Sequence, residues 1–158
     1  MEFKKIQCSG TLAPIECINP KRDRWAVRWN HQQEEGESWT ALEAVTEGKP
    51  TKAEVETAIS KHIDEETQQG IINGFVWNDK PVKLTDSTQR NFLFAAYSLD
   101  HTGEIDRAEF SGILAATTDA EAADELRDIV AAMWQHIKTQ RRKGINRKSE
   151  FDFSQFDL

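Results

Sequence analysis

Cysteine is almost missing from this chain. Only Cys8 and Cys17 occur in 158 residues, too few for a disulfide framework. No Cys or His stands at metal-finger spacing from them, so a zinc site is not expected. The two thiols lie on strands predicted to be neighbours, where they can pair, but a cytosolic chain keeps them reduced. Long apolar runs are lacking too. Nothing approaches the roughly 20 residues of a membrane span, and Met1-Glu2-Phe3-Lys4-Lys5 contains no secretory h-region, so no membrane contact and a cytoplasmic location are expected. Basic residues are in deficit, with 20 Lys and Arg against 27 Asp and Glu. A net charge of −7 disfavours general nucleic-acid binding, which needs a cationic surplus against phosphate. Glycine-rich phosphate loops and nucleotide fingerprints do not occur. His31, His62, His101 and His136 share no spacing and read as surface residues. Asp64-Glu65 and Asp124-Glu125 read as solvated helix faces. No enzyme and no cofactor are expected.

What the chain does contain is patterning for an α+β fold. Residues 1–48 form a small antiparallel β module, with strands expected over Phe3–Cys8, Leu12–Ile18, Trp25–Trp29 and Ser38–Val45, in a meander of three or four strands. Trp25, Val27 and Trp29 alternate with Arg24, Ala26 and Arg28, which puts the tryptophans on one face. Residues 49–149 read as a helical domain. Thr51-Lys52-Ala53-Glu54 is a capping box, and Val55, Ala58, Ile59 and Ile63 follow at helical spacing as far as Gly70, or on through Ile71 and Ile72. A β-hairpin is expected over 74–84, turning at Asn78-Asp79. Asp86 with Gln89 caps a second helix whose apolar face is Phe92, Leu93, Ala96 and Tyr97. Thr118 to Glu121 caps a third. There Ala122, Leu126, Ile129, Val130, Met133, Trp134 and Ile137 form a core stripe that Gly144 is expected to end. Arg141-Arg142-Lys143 with Arg147-Lys148 fits the negative end of that helix's dipole.

Two groups of residues invite a functional reading. From Ser98, a twelve-residue count places Ser98, Asp100, Thr102, Asp106 and Glu109 at calcium-ligand positions, with Gly103 at the turn. Ser at the first position removes a charge and no second loop exists. The alternative is a polar inter-helix turn. The aromatic residues form the other group. Trp25 and Trp29 are either core or a partner surface. Residues 150–158 form an acidic, aromatic tail in which Phe151, Phe153 and Phe156 either dock into a partner or fold back on the domain.

The run Ile71-Ile72-Asn73-Gly74-Phe75-Val76-Trp77 through Leu84, then Thr85 to Gln89 and Asn91-Phe92 to Ala96-Tyr97, resembles an uncharacterised family of short phage and prophage proteins. Members carry a Gly-Phe-x-Trp hairpin followed by a Gln…Ala-Tyr helix, and are often encoded near tail genes. Ile15 to Trp25 is similar to versions from phages of Bacteroidetes hosts. The resemblance implies a non-enzymatic structural or assembly accessory, tail-associated and acting through protein–protein contacts. Its partners would be other phage structural proteins or further copies of itself, in the host cytoplasm and then in the virion. Similar proteins tend to be strand-like between the two later helices, a pattern from which Glu104 to Ala116 of this chain departs. The two rival expectations are a host-directed regulatory protein that binds through its acidic surface or aromatic tail, and a degenerate EF-hand-like calcium module.

Overall fold

The structure, a computed structural model, describes residues 1–157. It is α+β, as the patterning predicts: a four-stranded antiparallel sheet, then three α-helices with a two-stranded hairpin. The chain divides into two compact units. One comprises Met1–Ile63 with the stretch from Lys148 onward, and the other is Asp64–Arg147. Both dividing points, after Ile63 and after Arg147, lie inside long helices, because helical hydrogen bonding continues along the chain from one cap to the next.

In the first unit, β1 (Lys4–Cys8), β2 (Ile15–Asn19), β3 (Arg24–Gln33) and β4 (Trp39–Glu47) lie in the order β1-β4-β3-β2. The meander has three strands, β2-β3-β4. β1 pairs with β4, so Ile6 opposes Ala41, and Cys8 and Cys17 end on opposite edge strands as free thiols. One sheet face carries Val27, Trp29 and Ala44. It packs on Val55, Ile59 and Ile63 from the first half of α1 (Lys52–Asn73). The predicted capping box is formed: Thr51 N–H donates to Glu54 Oε2 at 2.7 Å and Glu54 N–H to Thr51 Oγ1 at 3.3 Å.

In the second unit, β5 (Val76–Trp77) and β6 (Lys80–Pro81) form the expected hairpin. Asn78 and Asp79 take the left-handed backbone at its tip. α2 (Asp86–Thr102) is capped by Thr85 rather than Asp86, the Thr85 hydroxyl accepting from Thr88 N–H. α3 (Asp119–Glu150) opens on Thr118, which accepts from Glu121 N–H. Buried Phe75, Leu84, Phe92, Leu99, Phe110, Leu126, Ile129, Met133 and Ile137 form the core. Glu104 to Ala116 holds no strand; a short 3-10 helix, Arg107–Phe110, inserts Phe110 against Phe92 at a ring distance of 5.2 Å.

Gly144 does not end α3. It is buried where α3 meets the second half of α1, and a Cβ there would lie 2.3 Å from Thr67 Oγ1 and 3.3 Å from Thr67 Cβ. The helix runs on because a glycine stops a helix only where the backbone turns left-handed, and Gly144 has no positive φ. Gly70 is also inside its helix, which takes the longer of the two expected courses, through Ile71 and Ile72, but a Cβ there meets only the flexible end of Gln140. Gly144→Ala is accordingly expected to destabilise by about 1 to 2 kcal/mol despite its gain in helix propensity, and Gly70→Ala to stabilise by up to about 1 kcal/mol. Urea midpoints of the two variants check this, and equal midpoints would remove the close-approach argument.

Candidate protein-contact site

α2 places Phe92 and Leu99 inward, and Ala95 and Ala96 flank them half-buried. Its other side is unusual for an outward helix face. Leu93, Phe94 and Tyr97 are 51%, 64% and 63% exposed, and Tyr97 stacks on His101 at 4.0 Å. The apolar face expected from Phe92, Leu93, Ala96 and Tyr97 is therefore corrected. Apolar residues surround much of α2, and packing against α3 and the 3-10 helix selects the Phe92 side. Next to the exposed face runs a groove of about 420 Å³, lined by Phe94, Ala95, Ile105 and Phe110 with Glu104, Asp106 and Glu109. Asp106 Oδ1 accepts from Ala108 N–H and so caps the 3-10 helix. No ion pair within the described residues neutralises Glu104 or Glu109.

The five calcium-spaced residues do not form a loop. Ser98, Asp100 and Thr102 lie on α2, where the Thr102 hydroxyl donates to Ser98 O and Asp100 accepts from Arg127. Gly103 supplies a left-handed C-cap with φ 73°, its N–H donating to Leu99 O. The helix simply continues to its glycine stop, so the liganding geometry of a twelve-residue loop is not made. Among the described residues no group of three or more His, Cys, Asp or Glu is placed to hold a metal.

The expected partner residues separate by burial. Trp29 is 2% exposed and lies edge-on to Phe3, His62 and Phe151; Phe156 is 2% exposed in the same core. Phe151 and Phe153 pack half-buried against it. These four are packing residues, because a strand face with two large aromatics needs something to cover it and the tail supplies it. Trp25 alone of the group sits at the margin, where its Nε1 donates to Asp23 at 2.8 Å and Lys49 lies over its ring. His62 is part of this aromatic cluster rather than a surface residue. The Trp29 Nε1–H has no hydrogen-bond acceptor, and rings surround it. Trp134 is displaced in the opposite sense. Expected in the core, it is 49% exposed, because neighbouring Met133 takes the inward position.

Two charged constellations escaped the sequence reading. On the far face of the sheet, Arg28 is 7% exposed and bridges three strands, with Nη1 2.6 Å from Glu16 and Nε 2.7 Å from Glu43. Burial opposes its charge, but the two carboxylates outweigh this and raise its pKa. Beside it, burial and then the Arg28 charge lower the pKa of His31, whose Nε2 accepts from Leu12 N–H at 3.1 Å. The cross-strand register of Arg28 with Glu43 was readable only once the pairing was known.

The other constellation is Glu125, which does not stand on a solvated face. Its carboxylate accepts from Trp77 Nε1 at 2.8 Å, Asn78 Nδ2 at 2.9 Å, and the N–H groups of Ala115 and Ala116 at 2.8 Å. Partial burial would raise its pKa, but these donors prevail and hold it at about 2. Such a carboxylate is a weak base held by structural donors, so it ties the hairpin and the 111–118 segment to α3. It is a clamp, not a proton-transfer group. His136 is likewise structural, its Nε2 lying 3.1 Å from both Gly70 O and Ile71 O.

The exposed aromatic face of α2 with its acidic groove is thus the surface best suited to recognition. Among the described residues, no helix is long and apolar enough to cross a membrane. None of the protein-family models, curated proteins or solved structures compared with the chain matches it.

Proposed function

We propose that this chain is a non-enzymatic accessory of a phage particle or of its assembly, tail-associated, acting through protein contacts made by the outward face of α2. The observation that carries the contact role is the contiguous exposure of Leu93, Phe94 and Tyr97. Solitary apolar residues are ordinary on a surface, whereas grouped aromatics beside a groove mark interfaces. The phage setting rests on the resemblance centred on the hairpin and α2, which includes this same helix. The contact role moves away from Trp29 and the tail phenylalanines because those are occupied in packing.

Mass spectrometry of purified virions tests the proposal, with this protein quantified against the major capsid protein. A fixed ratio through gradient purification and salt washing is expected. Leu93→Ser combined with Phe94→Ser and Tyr97→Ser should reduce that ratio at least about tenfold, the loss of a few kcal/mol of contact energy, while leaving the melting curve unchanged. Abundance in the lysate with none in the particle would reject the virion role. It would leave an assembly factor or the host-directed regulator, and the regulator would have to bind through the acidic surface. A variant that stays at the wild-type ratio would reject the α2 surface.

A further inference from the structure

The second unit carries another apolar surface of the opposite charge. Trp134, Lys138, Arg141, Arg142 and Ile145 follow one another at helical spacing on α3, so they share one face. Trp134 is 49% and Ile145 58% exposed, and Lys138 lies over the Trp134 ring at 5.6 Å. Lys138, Arg141, Arg142 and Ile145 line a shallow groove of about 460 Å³. No ion pair among the described residues engages Lys138, Arg141 or Arg142. A helix-dipole role does not account for them, since α3 runs on to Glu150 and the three lie more than a turn before its end.

The chain therefore presents an aromatic face rimmed by unpaired carboxylates on α2 and an aromatic stripe rimmed by unpaired cations on α3. The two share no residue. The α2 surface is tied to the first part of α3, through Arg107 to Asp119 and Asp100 to Arg127. The cationic stripe begins beyond that, at Trp134. From Arg127 the helix rises about 10 Å to Trp134 and about 27 Å to Ile145, so the stripe leads away from the α2 surface along α3.

We infer that the occupant of the α2 face is the α3 stripe of a second copy of this chain, in a head-to-tail contact. This rests on the reading of the α2 face as a contact surface and names its partner. Glu104 and Glu109 would meet Lys138, Arg141 and Arg142 as Phe94 and Tyr97 cover Trp134 and Ile145. Because the two surfaces differ, the contact is heterologous, and the pair keeps one free surface of each kind, the α3 stripe on one copy and the α2 face on the other. Such association builds rings or open filaments rather than stopping at a dimer. The exposed apolar side chains amount to about 400 Å² on the α2 face and about 250 Å² on the α3 stripe, the scale of a weak contact that becomes populated in an array.

Sedimentation velocity on the full chain, from about 10 µM to about 1 mM, tests the inference over the range expected for a weak contact. The average sedimentation coefficient should rise with concentration and pass the dimer value. Raising salt from about 0.05 to about 0.5 M should weaken association about tenfold, since rim charges contribute. Phe94→Glu should be monomeric by itself, as should the double variant Arg141→Glu with Arg142→Glu. All three positions are exposed, so wild-type melting curves should accompany these changes. Mixed together, the two variants retain one intact pair of surfaces and should form a heterodimer and nothing larger. A wild type that stays monomeric at every concentration overturns the inference, and the virion assay still judges the α2 surface independently. An α3 variant that associates with itself as strongly as wild type overturns it too.

Discussion

Phe156→Ala is expected to lower stability by about 4 kcal/mol, a large part of the roughly 5 to 15 kcal/mol that holds a domain of this size. The ring is 2% exposed and packs among Phe3, Val27, Trp29, Ala44, Val55, Ile59 and Ile63. Phe151 lies nearly parallel to it, with ring centroids 6.3 Å apart. The segment is held locally as well. Asp152 caps the short helix Phe153–Phe156 by accepting from Ser154 N–H at 2.9 Å, and Lys52 pairs with Asp157. Removal of the ring leaves a cavity that neighbours from both the sheet and α1 line, and a strand face cannot collapse into it as a loop can. The check is a urea titration followed by near-ultraviolet circular dichroism, to which Trp29 contributes through its contact with Phe151. A midpoint equal to wild type would mean that the tail is not seated in this core. The consequence for function is direct. Deleting residues 150–158 to look for a lost partner removes core, so lost binding after that deletion reports unfolding. Leu158, the last residue of the expected tail, lies outside the described residues.

The second large effect concerns Glu125. Its carboxylate gathers Trp77, Asn78, Ala115 and Ala116, all of them donors. Glu125→Gln keeps the shape but turns an N–H₂ toward N–H groups, and Glu125→Ala leaves all four without this acceptor. The pH dependence follows from the direction of the shift. The folded-state pKa lies below the ordinary 4.5, at about 2, so the unfolded chain takes up the proton first. The stabilisation is complete above pH 4.5 and is lost as pH falls from 4.5 to about 2. The shift corresponds to about 3 kcal/mol, and to about 2 kcal/mol once its partial solvent exposure is allowed for. At pH 7, Glu125→Gln should therefore be less stable by about 2 kcal/mol and Glu125→Ala by about 3 kcal/mol. Both differences from wild type should shrink towards pH 2. A Glu125→Gln variant with the wild-type acid limb would show that this carboxylate is solvated after all.

Weakening the Glu125 clamp need not disturb the α2 surface. Leu93, Phe94 and Tyr97 point away from the core that the clamp supports, and α2 has its own caps at Thr85 and Gly103. Stability variants and contact variants can therefore be chosen independently. Glu125 and Phe156 probe how the units hold together internally, while Phe94 and Arg142 probe recognition.

Much of the secondary structure was legible because it is written in local chemistry. A capping box at Thr51 and a cap at Thr118 involve residues three apart, and the Asn78-Asp79 turn requires only two residues that tolerate positive φ. Period-two alternation likewise announced β3. These signals survive because the hydrogen bonds they describe close within one turn of chain.

What the sequence did not determine were choices between locally equivalent alternatives. Leu93, Phe94 and Tyr97 are as apolar as Phe92 and Leu99, so only packing partners decide which side of α2 is covered. Gly144 reads as a helix stop until Thr67 is found against it. Asp124 and Glu125 are adjacent acids on one helix, yet distant donors bind Glu125 while Asp124 stays exposed and pairs with Arg127 one turn on. The tail phenylalanines suit a foreign groove as well as their own sheet, and Trp29 could face either way until β1 was placed beside β4. By itself the sequence determined most of which segments are helix and strand, since those rest on neighbours in the chain. The tertiary structure alone decided which residues are core, clamp or contact, because burial is set by elements that meet only after folding.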